Sequence, residues 1–151
     1  MIEKIDITDP LIAKEVLGIQ IPSYKVEAEL IRFEELPPLK DTVETLRDCE
    51  ETFYGYYLGG ELCGAIAIKR EADIIDIHRL MVHPKHFRKG IAKELLRYIE
   101  GLAGRGGAIV VATGTQNAPA VSFYKQSGFA ETGVFLVEER LSITSFKKRI
   151  R

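Results

Sequence analysis

Leu80-Met81-Val82-His83-Pro84-Lys85-His86-Phe87-Arg88-Lys89-Gly90-Ile91-Ala92-Lys93-Glu94-Leu95-Leu96 joins an apolar strand, opening near Ile74, to an amphipathic helix through a short basic turn. After the turn, apolar residues recur at Ile91, Ala92, Leu95, Leu96, Ile99, Leu102 and Ala103, which is the spacing of one buried helical face. Lys93, Glu94, Arg97 and Glu100 point away from that face, and the helix begins near Lys89. The first turn of a helix carries backbone N–H groups without intrahelical partners and about half an elementary positive charge, so it attracts phosphate. Arg88 and Lys89 add full charges there, and Gly90 has no side chain to hold an oxygen away from the backbone. The functional reading of this turn is a pyrophosphate cradle; the alternative is a solvated turn. The P-loop pattern is absent, and only one glycine of a dinucleotide-binding Gly-x-Gly-x-x-Gly is present. A different phosphate ligand is required.

Leu80-Met81-Val82-His83-Pro84 followed by Arg88-Lys89-Gly90-Ile91-Ala92 resembles the acetyl-coenzyme A motif of the GNAT superfamily of N-acyltransferases, Gln/Arg-x-x-Gly-x-Gly/Ala. Gly90 and Ala92 match its fourth and sixth positions; Phe87 stands where Gln or Arg is usual, with Arg88 one place later. Downstream, Asn117-Ala118-Pro119-Ala120-Val121-Ser122-Phe123-Tyr124-Lys125-Gln126-Ser127-Gly128-Phe129 resembles the superfamily's other coenzyme A segment, Asn-x-x-Ala-x-x-Phe-Tyr-x-x-x-Gly-Phe. Two motifs in the right order are far more specific than either alone. The resemblance implies an α/β (α+β) fold: a mixed, mostly antiparallel twisted sheet of about seven strands flanked by about four helices, with a splayed parallel pair at its centre.

A length of 151 residues with 46% hydrophobic and 28% charged residues suits one domain, residues 1–151, with one substantial core. A formal net charge of −1 gives no nucleic-acid footprint. No apolar run approaches the ~20 residues that span a bilayer, and Met1-Ile2-Glu3-Lys4-Ile5-Asp6 lacks the regions of a signal peptide, so no membrane partner and a cytoplasmic location are expected. Cys49 and Cys63 have no CxxC spacing and read as reduced, structural cysteines. His83 and His86 lie close together but lack a third ligand, so no metal is assigned.

Along the chain, Ile2, Ile5 and Ile7 open a strand, and Thr8-Asp9-Pro10 starts a helix that Gly18 is expected to end. From Ile19 to Leu39 the pattern is broken by Pro22, Pro37 and Pro38 and reads as a helix-containing loop. Asp41-Thr42-Val43-Glu44 is read as a capping box with Asp41 as the cap. Thr52 to Leu58 and Leu62 to Lys69 form a hairpin about Gly59-Gly60-Glu61, and Ile74 to Val82 pairs on. Ala108 to Thr113 is a strand buried on both faces, parallel to its predecessor; a short helix from about Pro119 and two antiparallel strands, Phe129 to Val137 and Leu141 to Phe146, complete the order.

Acetyl transfer from a thioester to an amine requires a docked donor, a neutral amine, oxyanion stabilisation and a proton for the thiolate. The resemblance implies backbone groups of Leu80, Met81 and Val82 along the pantetheine arm of acetyl-CoA, and amides of Arg88, Lys89, Gly90, Ile91, Ala92 and Lys93 around the pyrophosphate. It also implies Tyr124 as general acid and Asn117 as a hydrogen-bonding partner of the cofactor arm. By strand alternation Asp76 and His78 share a face with Leu80 and Val82, and Arg79 faces the other way beside Ile77 and Met81. Asp76 aligns with the glutamate base of one branch of the superfamily; Asp76, His78 and an ordered water chain are the candidates for base. The glutamate of another branch, five residues before the motif asparagine, is replaced by Ala112. The segment Ser23 to Leu39 is expected to shape the acceptor pocket, with Glu27, Glu29, Glu34 and Glu35 suited to a cationic amine and Tyr24 and Phe33 as an apolar wall.

The resemblance thus implies N-acetyl transfer from acetyl-CoA to a primary amine, on a small molecule or an exposed protein amine, by direct attack in a ternary complex. The working unit would be a monomer or homodimer. A non-catalytic coenzyme A-binding sensor or interaction module on the same fold, and a nucleotide-phosphate binder, are the competing readings.

Overall fold

The β-branched and aromatic runs become strands, and the residues recurring every three or four positions become helices. In the computed structural model, which describes residues 1–137 and 139–151, the order is β1 (Ile2–Ile5), α1 (Pro10–Ile31), α2 (Val43–Arg47), β2 (Thr52–Leu58), β3 (Glu61–Glu71), β4 (Ile74–Val82), α3 (Ile91–Ala103), β5 (Ala108–Gly114), α4 (Ala118–Gln126), β6 (Ala130–Val137) and β7 (Leu141–Arg149). Short 3-10 turns occupy Pro37–Lys40 and Pro84–His86. The strands make one sheet, β1-β2-β3-β4-β5-β7-β6, antiparallel except for the central pair β4 and β5. This is the mixed seven-stranded sheet with four α-helices expected from the sequence. None of the helices among the described residues is long and apolar enough to cross a membrane.

Each face of the sheet has its own apolar layer. Ile66, Ile75 and Ile77 meet Leu95, Leu96 and Ile99 of α3 on one side. Phe53, Ala65 and Met81 meet Val16 of α1 and Leu46 of α2 on the other. Gly64 sets the closeness of the first layer: a Cβ there would lie 2.9 Å from Ile91 Cγ2 and 3.1 Å from the Met81 carbonyl oxygen. The start of α3 is thereby seated directly against β3.

Three local expectations are corrected. Helix α1 does not stop at Gly18 but continues through Pro22 to Ile31, so Ile19–Ile31 is helix rather than loop. Val16, Ile19, Ala28 and Ile31 all bury on it, and that burial outweighs the ~3 kcal/mol cost of an internal proline. Its end comes where Arg32 turns into the left-handed region with φ of 54°. The cap of α2 is Thr42, whose hydroxyl accepts from the Thr45 amide at 3.2 Å while Thr45 Oγ1 accepts from the Thr42 amide at 2.8 Å. Asp41 is instead drawn to Arg79, a full buried charge that a peptide amide cannot match.

Strand β4 also departs from simple alternation. Ile68 pairs with Ile77 and Ala67 with Arg79, so His78 is an extra residue in a β-bulge. One inserted residue moves every later side chain to the opposite face. Leu80 and Val82 therefore join the layer of Ile75 and Ile77, while His78 and Arg79 point with Asp76 to the other side.

Arg79 is the centre of a buried network that ties α1 and the segments on either side of α2 to this bulge. Its guanidinium donates to Asp41, to Glu51 Oε1 at 3.0 Å and to Gln20 Oε1 at 3.1 Å, and it sits 5.9 Å over the Phe53 ring. Gln20, fully buried, passes its amide hydrogens to the Pro38 carbonyl at 2.9 Å and to Asp41 at 2.8 Å. Arg79→Met leaves the Asp41 and Glu51 carboxylates, 15% and 8% exposed, without their cation. It is expected to lower the unfolding free energy by about 3–5 kcal/mol, read from the midpoint of a urea melt; a loss below about 1 kcal/mol would contradict the buried network.

Candidate active site

The site begins where β4 and β5 part. They pair only from Ile74 to Ile77 against Ala108 to Val111. Beyond that point Leu80, Met81 and Val82 pair with β3 alone, and Ala112, Thr113 and Gly114 with β7 alone. The bulge at His78 stands where the pairing ends, and a bulge bends and twists its strand. Backbone groups of both strands consequently face a cleft of about 780 Å³ without a ladder partner.

One end of the cleft is the N-terminus of α3, where Arg88, Gly90, Ile91, Ala92 and Lys93 line it. Gly90 caps this helix with φ of 77° and no side-chain hydrogen bond, leaving first-turn amides open to a ligand. A Cβ on Gly90 would meet nothing within 4 Å, so the space beside the backbone is free, but an L-residue would be strained there. Arg88, φ 64°, is also left-handed. These features fit an anionic group. Phe87, 43% exposed, lines the cleft at the position where the resembling motif has Gln or Arg.

The far wall comes from α1 and α4. Asn117 caps α4 by accepting from the Ala120 amide at 3.2 Å and donates through Nδ2 to Glu27 Oε1 at 2.6 Å. Burial holds the Glu27 carboxyl above the usual carboxylate range, opposed in part by hydrogen bonds from Asn117 and Thr113. Tyr124 is 5% exposed, its ring held between Phe129 at 5.4 Å and Phe146 at 5.8 Å. Burial, with Tyr24 and Glu27 nearby, raises the pKa of its hydroxyl above the ordinary ~10 and keeps it protonated. Tyr24 is likewise shifted upward by burial and by Glu27, and its hydroxyl lies beside the Leu80 amide.

Of the residues singled out in the sequence, the cleft gathers His78, Leu80, Val82, Arg88, Gly90, Ile91, Ala92, Lys93, Asn117 and Tyr124. Lys89 instead brings Nζ to 2.9 Å from His86 Nδ1, and the Met81 side chain is buried in the opposite layer. Asp76 is 54% exposed, with Oδ2 3.4 Å from His78 Nε2, and does not line the cleft. His78 also stands 3.4 Å from Glu51 Oε2. Phe33 is away from the cleft too, buried beneath the Arg140 guanidinium at 5.5 Å. His83 Nδ1 accepts from the Lys85 amide, and no group of three potential metal ligands occurs among the described residues. The Glu27 to Asn117 bond was not legible beforehand, because it spans ninety positions and depends on α1 running past Pro22.

The model of the acetyltransferase (GNAT) family matches residues 15–129. Among curated proteins, UPF0157 protein YqkA of Bacillus subtilis (strain 168) is 36% identical over 146 residues, 97% of this chain and 43% of that protein. The chain spans less than half the length of the curated relatives it matches. The ribosomal-protein-S18-alanine N-acetyltransferase from Escherichia coli has the same fold, with a TM-score of 0.78 at 16% identity over 99% of this chain and 93% of that one. So does the PaiA N-acetyltransferase from Thermoplasma acidophilum, solved in complex with coenzyme A, with a TM-score of 0.71 at 23% identity over 98% of each chain.

The raised Glu27 carboxyl carries a pH signature. A carboxyl that binds its proton more tightly in the folded state loses stability as pH rises through the window from its unfolded value near 4.3 up to its raised folded value. Glu27→Gln, which keeps an oxygen for Asn117, is therefore expected to match the native chain in stability below that window and to exceed it above. Thermal melts across roughly pH 4 to 8 test the sign; a variant equally stable relative to native at every pH would contradict the shift.

Proposed function

Because this chain belongs to the acetyltransferase (GNAT) family, we propose that it transfers an acetyl group from acetyl-CoA to a primary amine by direct attack in a ternary complex. The observation that carries the proposal is the continuity of the cleft from the open α3 N-terminus, past the unpaired edges of β4 and β5, to Tyr124. The amides from Gly90 to Lys93, with Arg88, take the pyrophosphate. The strand edges at Leu80 and Val82 hydrogen-bond the extended pantetheine arm, as a neighbouring strand would. The Val82 N–H, and the Leu80 N–H once it turns from the Tyr24 hydroxyl, also polarise the thioester carbonyl, so that charge developing on its oxygen meets fixed dipoles.

Tyr124 supplies the proton for the departing thiolate. Burial keeps its hydroxyl protonated at neutral pH but also makes it a weaker acid, so its proton passes to sulfur only as the nitrogen of the intermediate replaces it. The aromatic contacts with Phe129 and Phe146 fix the ring. The donor is an intracellular metabolite, and the reading accordingly puts the reaction in the cytoplasm.

Tyr124→Phe keeps the ring and removes only the hydroxyl. Turnover, followed as coenzyme A thiol release over a panel of primary amines, is expected to fall by roughly tenfold or more, while the Kd for coenzyme A measured by calorimetry stays unchanged. Unchanged turnover would overturn the role of Tyr124. Binding of coenzyme A without amine-dependent thiol release in the native chain would point to a binding module instead.

A further inference from the structure

Charge in the cleft is divided. The cations Arg88 and Lys93 stand at the α3 end, and at the other wall stands Glu27, the single carboxylate among the described residues that line the cleft. Arg79 also lines it, but its charge is matched by Asp41 and Glu51. Ala112, on β5, provides no acid from the strand, so the acid comes from α1. Asn117 fixes one Glu27 oxygen at 2.6 Å; a carboxylate accepts about four hydrogen bonds, which leaves capacity for a further donor. Next to Glu27 the wall is apolar, made by Leu30, Ile31, Leu36, Pro38 and Ile143 with the Tyr24 ring. Leu30 remains 46% exposed.

We propose that this part of the cleft takes a primary amine carried on an apolar or aromatic body, and that Glu27 receives its ammonium group and removes its first proton. The proposal rests on the acetyltransferase reading and names its acceptor class. Glu27 accepts one proton from the ammonium and returns it to solvent. The freed nitrogen bonds to the thioester carbonyl carbon, the carbon–sulfur bond breaks with its electron pair on sulfur, and Tyr124 protonates the thiolate. The nitrogen's second proton restores the Tyr124 hydroxyl. The sum is an ammonium and a thioester giving an amide, a thiol and one released proton.

The raised Glu27 carboxyl supports the role, since a stronger base lies closer to the amine it deprotonates. The groups that face it include Tyr24 on its own helix, Tyr124 on α4, and His78 and Arg79 on β4. His86, Arg88 and Lys93 complete the charged and titratable lining from the α3 turn. His78 lines the same cleft, so the pH profile has to be compared between variants and not read from one.

The test compares 2-phenylethylamine with glucosamine as acceptors in acetyl-CoA-dependent thiol release. The native chain is expected to prefer 2-phenylethylamine by about tenfold or more in kcat/KM, the scale of discrimination an apolar pocket gives. Glu27→Gln is expected to lose about a hundredfold in kcat/KM, to lose the acid limb of the pH profile and to bind acetyl-CoA with native affinity; Glu27→Asp is expected to restore part of the rate. Native rate and pH profile in Glu27→Gln would overturn the role of Glu27. A preference for glucosamine, or turnover of neither amine by a chain that binds acetyl-CoA, would overturn the acceptor class. Failure of the native chain to bind acetyl-CoA would overturn the acetyltransferase reading, and this proposal with it.

Discussion

Two parallel strands that stop pairing partway leave backbone N–H and C=O groups without strand partners inside a folded protein, and the rest of the structure is arranged around that gap. Such groups are costly unless something bonds them. The gap opens after Ile77 and Val111 and coincides with the extra residue His78 in β4. Strand β7 completes the other edge of β5 through Gly114, so β5 cannot simply swing toward β4. Gly64 and Ile91 hold the start of α3 against β3, at the end of the same gap. A strand edge and a helix terminus thus share one cleft, and together they ask for a ligand that is extended along one part and anionic at the other.

The same bulge organises the charges. By reversing the phase of β4 it sends Arg79 into the α1 and α2 layer, where Asp41, Glu51 and Gln20 surround it. This is a structural use of polar groups on a core strand. With Arg79 neutralised, the cleft keeps its cations at the α3 turn and, among the described residues, its one carboxylate at Glu27. The two ends of the cleft therefore differ in sign because two separate local devices set them: a helix terminus at one, a long helix reaching across the sheet at the other.

Much of this was legible in the sequence. The apolar periodicity after Gly90 and the continuous run from Ala108 located α3 and β5, and these two elements with β4 define the parallel pair. What was not legible depended on distance or on a single insertion. Alternation along Asp76 to Val82 looked regular, and no residue type there announces a bulge; the register against β3 decides it. Pro22 argued for a break in α1, but local propensity lost to burial of Ile19, Ala28 and Ile31 on either side of it. Placing Glu27 opposite Asn117 required the second of these facts, so its role could be suspected only as one acidic residue among several in its segment.

The most direct measurement of the central claim is a titration of isotopically labelled protein with coenzyme A, followed by backbone amide chemical shifts. The account predicts that the largest changes fall on Leu80 to Val82 and on Gly90 to Lys93, the strand edge and helix terminus that share the cleft. Adenosine triphosphate at the same concentration should perturb the second group at most. Changes confined to other elements, or identical with both ligands, would contradict the reading of the parted strands as the binding site.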